Sequence, residues 1–171
     1  MGAELTSAEP ARTKSFEDCF RAWFGTVARS AGLIARDPLL GPDLAQEAFA
    51  RLYERWDRIR SDDHARNFVF RVAANLARSH VRRRLAAPFG LMHPGGVTPD
   101  PNARTDEWVD VADALGELSP RQRTCVVLVD FADLDTHTVG RLLGMTEGTV
   151  RVHVSRGRRA LRDRLQIEEE P

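Results

Sequence analysis

Residues 134–165 contain two consecutive helical patterns separated by a glycine, and this segment constrains the fold more than any other. The first pattern covers about residues 136–143 and is followed directly by Gly144, a residue suited to the left-handed conformation that ends a helix. Thr146 stands where the next helix needs an N-cap, because its hydroxyl can accept a hydrogen bond from an unpaired backbone N–H. The segment therefore predicts a helix-turn-helix motif.

The second helix of this motif is rich in arginine. Val150, Val154 and Leu161 can form its inner stripe, which leaves most of its polar residues outside. Those residues are Arg151, Ser155, Arg156, Arg158, Arg159, Arg162 and Arg164. Since the second helix of such a motif enters the major groove of DNA, this arginine content indicates DNA binding. A helical hairpin whose arginines are merely solvated is the alternative.

Composition limits the class of protein. The chain has 171 residues, enough for one domain or two small ones, and its 25 basic and 25 acidic residues cancel to zero net charge. Cys19 and Cys125 lie far apart and fit core positions in a reduced compartment better than a disulfide or a zinc site. No apolar run approaches membrane-spanning length, and the five histidines lack metal-ligand spacing. We therefore expect a cytoplasmic chain with no membrane insertion, metal, cofactor or catalytic group.

Three longer helical patterns occupy the N-terminal half. They cover residues 15–36, with Ser15 as a possible N-cap, residues 43–59, with Asp43 as the N-cap, and about residues 67–85. A short polar loop at 59–65 separates the last two patterns.

The third of these helical patterns has a basic outer face. Residues 64–84 hold six arginines and no acid, a charge distribution suited to a polyanion. Phe68 and Phe70, near its start, could stack on unpaired bases if they are exposed. Core packing is the alternative, and we expect it for at least one of them.

The rest of the chain divides at a segment rich in proline and glycine. Residues 86–105 contain four prolines, three glycines and no helical period, which indicates a flexible linker. Helical patterns follow at 108–118 and 121–131, the second opened by Ser119-Pro120. We predict an all-α protein of two small helical domains. Its parts are a disordered leader at 1–14, a first domain at 15–86, a linker at 87–107, a second domain at 108–166 and an acidic tail at 167–171.

Three segments, in this order and spacing, resemble bacterial RNA polymerase sigma factors of the extracytoplasmic-function (ECF) type, group IV of the sigma-70 family. They are DLAQEAFARLYERW at 43–56, NFVFRVAANLARSHVRRR at 67–84 and the stretch from LSPRQR to RRALR at 118–162. The resemblance covers about residues 15–165. It implies a sigma region 2 domain followed by a sigma region 4 domain. Such a protein binds core polymerase, directs it to the −10 and −35 promoter elements and assists DNA melting.

The resemblance also implies roles for particular residues. Contacts with the clamp helices of the polymerase β′ subunit fall to Asp43, Gln46 and Glu47. Contacts with the −10 element fall to Asp62, Asp63, His64, Phe68, Arg71, Asn75, Arg78, Arg82 and Arg83. Contacts with the −35 element fall to Thr149, Arg151, Val152, Ser155 and Arg156. The further partners that it implies are the polymerase β flap and an anti-sigma factor.

Two other functions remain open from the residues alone. A helix-turn-helix repressor would bind duplex DNA without polymerase, but it leaves the patterns at 43–56 and 67–84 unexplained. A helical adaptor or anti-sigma-like protein would have no DNA role, so changes at Arg151 and Arg156 would have no effect. The recognition helix departs from the family at Val152 and His153, where a small polar and a basic residue are common. That departure bears on the −35 sequence preference.

Overall fold

The computed structural model describes residues 12–86 and 106–165. In these ranges the chain forms α-helices and no strand, which confirms the all-α prediction. The helices are α1 Phe16–Ala35, α2 Gly41–Tyr53, α3 Asp62–Ala86, α4 Asp106–Glu117, α5 Pro120–Val126, α6 Thr136–Leu143 and α7 Glu147–Leu165. None of them is both long enough and apolar enough to cross a membrane.

The predicted terminal and connecting segments lie mostly outside the described residues. This is so for residues 1–11 of the leader, for residues 87–105 of the linker and for the acidic tail at 167–171. Residues 12–14 are more ordered than predicted, since they make hydrogen bonds to the loop that precedes α3.

Two helix starts predicted from capping residues are confirmed. The Ser15 hydroxyl accepts from the backbone N–H of Asp18 at 3.1 Å, and the Asp18 carboxylate accepts from the Ser15 N–H at 3.3 Å. Ser119 and Gln122 form the same reciprocal box at the start of α5, with Pro120 in the first turn. Each box satisfies two backbone donors that a helix N-terminus leaves unpaired.

Four predicted boundaries are wrong, and one of them is the end of α2, which lies at Tyr53 and not at residue 59. Helix α2 begins at Gly41 rather than at the supposed cap Asp43, because Pro42 is tolerated in the first turn, where its missing N–H has no intrahelical partner. Helix α3 begins at Asp62, since the buried Ser61 accepts from the His64 N–H at 3.1 Å and so caps the helix inside the supposed loop. The predicted helix at 121–131 changes at Val127 from α to a π-helical turn.

The first three helices pack through small side chains. Ala45 and Ala48 of α2 and Ala73 and Ala77 of α3 are at most 2% exposed, so the helix backbones approach closely. Phe49 of α2 is 1% exposed and fills the centre.

An aromatic group closes one end of this bundle. Phe16 packs edge-on against Phe49, Tyr53 and Trp56, with ring centroids 5.0–6.2 Å apart. Tyr53 remains 64% exposed. The first turn of α1 is thereby fixed against the C-terminal end of α2.

The helix-turn-helix is confirmed in detail. Gly144 adopts the left-handed conformation with φ of 67° and ends α6. Gly140 allows the turn to pass close by, because a Cβ at this position would lie 2.8 Å from the Met145 carbonyl oxygen. The Thr146 hydroxyl accepts from the Thr149 N–H at 3.2 Å and caps α7 as predicted. Val150 and Val154 lie on the inner face of α7 and are buried.

Arg123 of α5 is a buried cation held by carbonyl oxygens. Its Nε donates to the Leu115 carbonyl at 2.8 Å, and its Nη2 donates to those of Gly116 and Leu118 at 3.1 and 2.9 Å. Its Nη1 donates to the Ile34 carbonyl at 3.3 Å. These oxygens belong to the C-terminal ends of α4 and α1, where helices leave carbonyls unpaired and carry partial negative charge. No pattern in the sequence indicates this role.

A second arginine also joins the two halves of the chain. Arg66 of α3 donates through Nη2 to the carbonyls of Ala132 and Asp133 at 2.7 and 3.2 Å. Phe70 lies one turn further along the same helix face and is 2% exposed. This face of α3 packs toward the second half.

We predict that Arg123→Ala lowers the free energy of unfolding by about 3 kcal/mol, because it leaves several buried carbonyls without a donor. Arg121→Ala, on the exposed first turn of the same helix, is the control and should cost less than about 0.5 kcal/mol. Urea unfolding of the full chain measures both. Equal effects of the two changes would show that the carbonyl contacts of Arg123 contribute nothing.

Candidate nucleic-acid interface

The outer face of α3 carries a row of exposed polar side chains. Arg71, Asn75 and Arg82 are exposed, and Arg78 between them is half-buried. The steps of four, three and four residues place them on one side of the helix, as the sequence predicted. Asp63, His64 and Arg83 are exposed as well. The row presents cations with a single amide among them, which suits a strand of nucleic acid.

Phe68 does not offer an open ring to this face. Its side chain is 7% exposed, and the guanidinium groups of Arg55 and Arg71 lie 5.7 and 5.4 Å from its ring centroid. Phe70 is buried too, so core packing, which we expected for at least one of the two residues, is found for both. Core packing removes their rings from water, and arginines cover the remaining edge.

Arg55 is a member of this surface that the sequence analysis missed. It follows the C-terminal end of α2 and is exposed, yet its guanidinium meets the same ring as Arg71 of α3. Arg55 and Phe68 are 13 residues apart and lie on different elements, so no periodic pattern in the sequence predicts their contact.

Asp62, the first residue of α3, is bound by the residues that precede α1. Its carboxylate accepts from the backbone N–H groups of Thr13 and Lys14 and from their side chains, at 2.7–3.2 Å. Several hydrogen bonds hold the pKa of Asp62 well below its usual range, and the bond from the Thr13 hydroxyl makes the largest contribution. Asp62 is therefore an ionised internal anchor, whereas its neighbours Asp63 and His64 stay exposed.

The exposed side of α7 carries all five predicted −35 residues, which are Thr149, Arg151, Val152, Ser155 and Arg156. The Arg151 guanidinium lies 2.6 Å from the Glu147 carboxylate, and the Thr149 hydroxyl lies 2.8 Å from that of Thr146. Val152 is 47% exposed, an unusual state for valine that suits contact with a thymine methyl.

The first helix of the motif is fastened to α7 by polar contacts. The Thr136 hydroxyl donates to the Glu147 carboxylate at 2.9 Å, and this bond is the main reason that the pKa of Glu147 is lowered. Asp135 caps α6 by accepting from the Thr138 N–H at 2.8 Å. The Thr136–Glu147 bond joins the two helices, whereas the Asp135 cap stabilises the start of α6.

Other arginines of α7 are paired inside the second domain. Arg158 donates through Nε and Nη2 to the two carboxylate oxygens of Asp130, and Arg164 lies 2.9 Å from Glu117. The helix thus separates its cations into one group that holds the domain together and another group that faces outward.

The polar face of α2 is exposed as predicted. Asp43, Gln46 and Glu47 all lie on the surface, and Glu47 pairs with Arg51 one turn later at 2.8 Å. An exposed ion pair of this kind contributes at most about 1 kcal/mol, so these groups remain available to a partner.

The cysteines lie in the core. Burial raises the pKa of Cys125 to about 11, although the charge of Arg78 acts in the opposite direction, and burial also raises the pKa of Cys19. Over residues 12–86 and 106–165, no three His, Cys, Asp or Glu side chains lie together so as to hold a metal ion.

Comparison with known families matches two parts of the chain. The model of sigma-70 region 2 matches residues 19–86, and the model of sigma-70 region 4 matches residues 108–161. These ranges contain the outer face of α3 and the helix-turn-helix, respectively.

Named relatives agree with this result. The RNA polymerase sigma-E factor of Streptomyces avermitilis is 32% identical over 152 residues, which cover 88% of this chain and 85% of the relative. The ECF RNA polymerase sigma factor SigM of Mycobacterium tuberculosis is 28% identical over 160 residues, which cover 93% and 82%.

The fold is also that of a solved sigma factor. A co-crystal structure of the sigma factor RpoE from Bartonella quintana, in complex with the anti-sigma factor NepR, matches with a TM-score of 0.72 at 19% identity. The match covers 90% of this chain and 98% of that one. The chain therefore belongs to the sigma-70 family as a sigma factor of the ECF type, the class of subunit that directs RNA polymerase to promoters for transcription initiation.

Proposed function

We propose that this sigma factor works through three separate surfaces. The exposed face of α2 binds core polymerase, the outer face of α3 binds the −10 element, and the exposed side of α7 reads the −35 element. The observation that carries this proposal is the sorting of the arginines. Those on the two DNA faces point outward, whereas Arg123, Arg158 and Arg164 are engaged within the protein.

At the −10 element, α3 would hold a melted strand. Arg71, Arg78 and Arg82 suit its phosphates, while the amide of Asn75 can both donate to and accept from a base edge. Extruding a base costs a few kcal/mol, which these contacts must offset. We add Arg55 to this surface, because it shares the Phe68 ring with Arg71 and is exposed beside it.

At the −35 element, α7 would lie in the major groove, which admits a helix. Within the described chain, Ser155 and Arg156 make no side-chain hydrogen bond or ion pair and are ready to bind. Arg151 pairs with Glu147, but 69% of its side chain is exposed. Such a pair costs little to break, so Arg151 can exchange Glu147 for a guanine or a phosphate.

Engagement of both elements requires the two halves to separate. The −10 and −35 elements lie about 25 base pairs apart, or roughly 85 Å along the DNA axis. A packed chain of this length is only about 40 Å across. The polar bonds of Arg66 and of Arg123 to the other half must therefore break when polymerase and promoter are bound.

We further propose that the chain acts in the cytoplasm, as a subunit without catalysis of its own. An anti-sigma factor holds it inactive, a role supported by the fold shared with a sigma factor solved with its anti-sigma partner.

The role of α2 leads to a binding prediction. The double change Gln46→Ala and Glu47→Ala should raise the Kd for core polymerase about tenfold, because it removes two exposed polar groups from the contact face. Glu17→Ala, an exposed acid on α1, should leave the Kd unchanged. Titration of labelled protein with purified core polymerase measures both. An unaltered Kd for the double variant would remove α2 from the polymerase interface.

The role of α3 leads to a prediction about promoter opening. The double change Arg71→Ala and Asn75→Ala should reduce permanganate reactivity of −10 thymines at least about tenfold at saturating holoenzyme, since base and phosphate contacts to the open strand are lost. Arg29→Ala, an exposed arginine of α1, is the control and should open the promoter normally. Full opening by the double variant would contradict a role of α3 at the −10 element.

A further inference from the structure

Residues 12–14, here termed the N-terminal strap, are fastened to the loop that precedes α3. The Arg12 backbone N–H donates to the Arg60 carbonyl at 3.1 Å, and its guanidinium donates to the Trp56 carbonyl at 2.7 Å. That guanidinium also lies 4.3 Å from the Trp56 ring centroid. Arg12 is thus bound through its backbone and its side chain to residues 56 and 60.

Thr13 and Lys14, the next two residues of the strap, donate hydrogen bonds to the Asp62 carboxylate. Oδ1 accepts from the backbone N–H groups of Thr13 and Lys14 at 3.1 and 3.2 Å. Oδ2 accepts from the Thr13 hydroxyl at 2.7 Å and from the Lys14 ammonium at 3.1 Å. A carboxylate has about four acceptor sites, so none remains for a DNA base.

The loop is also closed from its other side. Ile59 and Ser61 are buried, and Ser61 accepts from the His64 N–H. The Arg60 N–H donates to His64 Nδ1 at 3.4 Å. With the strap in place, the exposed groups in the first turn of α3 are Asp63 and His64, and the anchoring of Asp62 sets where this turn lies.

We infer that the N-terminal strap is a positioning element for −10 recognition: Thr13 and Lys14 hold Asp62, the first residue of α3, and Asp62 holds the start of this helix so that Asp63 and His64 face the promoter strand. Asp62 is then an anchor and makes no contact with DNA. This inference rests on the proposed function of α3.

The test compares Thr13→Val, Thr13→Ser and Asp62→Asn in the full-length protein. Valine matches the shape of threonine but cannot donate to Asp62, whereas serine can. Thr13 is exposed, so neither change threatens the core. The readout is the ratio of single-round transcription from a cognate promoter to that from the same fragment with one −10 base changed. A loss of folded protein lowers both yields equally and leaves this ratio unaltered.

We expect Thr13→Val to lower the ratio about three- to tenfold, because a charge-assisted hydrogen bond that orders the loop is lost. Thr13→Ser should retain the wild-type ratio. Asp62→Asn should lower the ratio at least as much as Thr13→Val, and adding Thr13→Val to it should have little further effect, since both changes release the same contact.

Two results would overturn the inference. If Asp62→Asn lowers the ratio while Thr13→Val leaves it at the wild-type value, Asp62 contacts DNA directly. If neither change alters the ratio, the strap braces the fold and has no part in recognition.

A second measurement separates this inference from the proposed function. Hydrogen exchange of the amides at 58–64 should accelerate in Thr13→Val and not in Thr13→Ser, whether or not polymerase is present. If the wild-type protein supports no transcription from any promoter, the proposed function fails, and the exchange data still decide whether the strap holds the loop. Unchanged exchange in Thr13→Val would overturn that hold.

Discussion

The guanidinium of Arg123 lies where two helices end, and the arrangement of both halves depends on it. Burial lowers its pKa to about 10, with a smaller contribution from the charge of Arg36, so the group is still a cation at neutral pH. A buried cation without a carboxylate is costly unless each N–H finds an acceptor. Here the acceptors are carbonyls at or just beyond the ends of α4 and α1, so one side chain binds both helix ends, and only the Leu115 carbonyl among them also accepts from a backbone N–H of the described chain, that of Leu118.

Arg123 binds carbonyl oxygens and no carboxylate among the described residues, so it joins the two halves of the chain only weakly. A carbonyl is a weaker partner than a carboxylate, and only one of the four bonds of Arg123 reaches the other half, at Ile34. Arg66 adds two more bonds to carbonyls. Such contacts hold the halves together in the free chain, and the proposed function requires them to break when α3 and α7 engage two distant promoter elements.

The zero net charge is compatible with basic surfaces because the acids are not distributed evenly among the arginines. Acids such as Asp130 and Glu117 neutralise arginines that stabilise the second domain. The arginines of the outer face of α3 and Arg156 of α7 have no such acid beside them in the described parts of the chain. An average over the sequence therefore conceals two basic surfaces, and those surfaces are the ones that would meet phosphate.

Local patterns in the sequence predicted much of the fold and of the site. The helix-turn-helix, the caps at Ser15, Ser119 and Thr146, and the exposed rows on α3 and α7 follow from spacing within one helix. The start of α3 was predicted wrongly because Ser61 stands among polar residues and suggests a loop. In the structure Ser61 is buried and caps the helix. The roles of Arg123, Asp62 and Arg55 were missed because their partners lie on other elements, and no periodicity links such residues.

Run-off transcription tests whether the two basic surfaces act together through polymerase. Purified bacterial core polymerase is incubated with a panel of promoter fragments, with and without this protein. We predict initiation that requires the protein and that is lost when either the −10 or the −35 element of an active fragment is replaced. Tight binding of the protein alone to duplex DNA without any initiation would contradict this account and favour a repressor. The absence of both initiation and DNA binding would instead favour an adaptor.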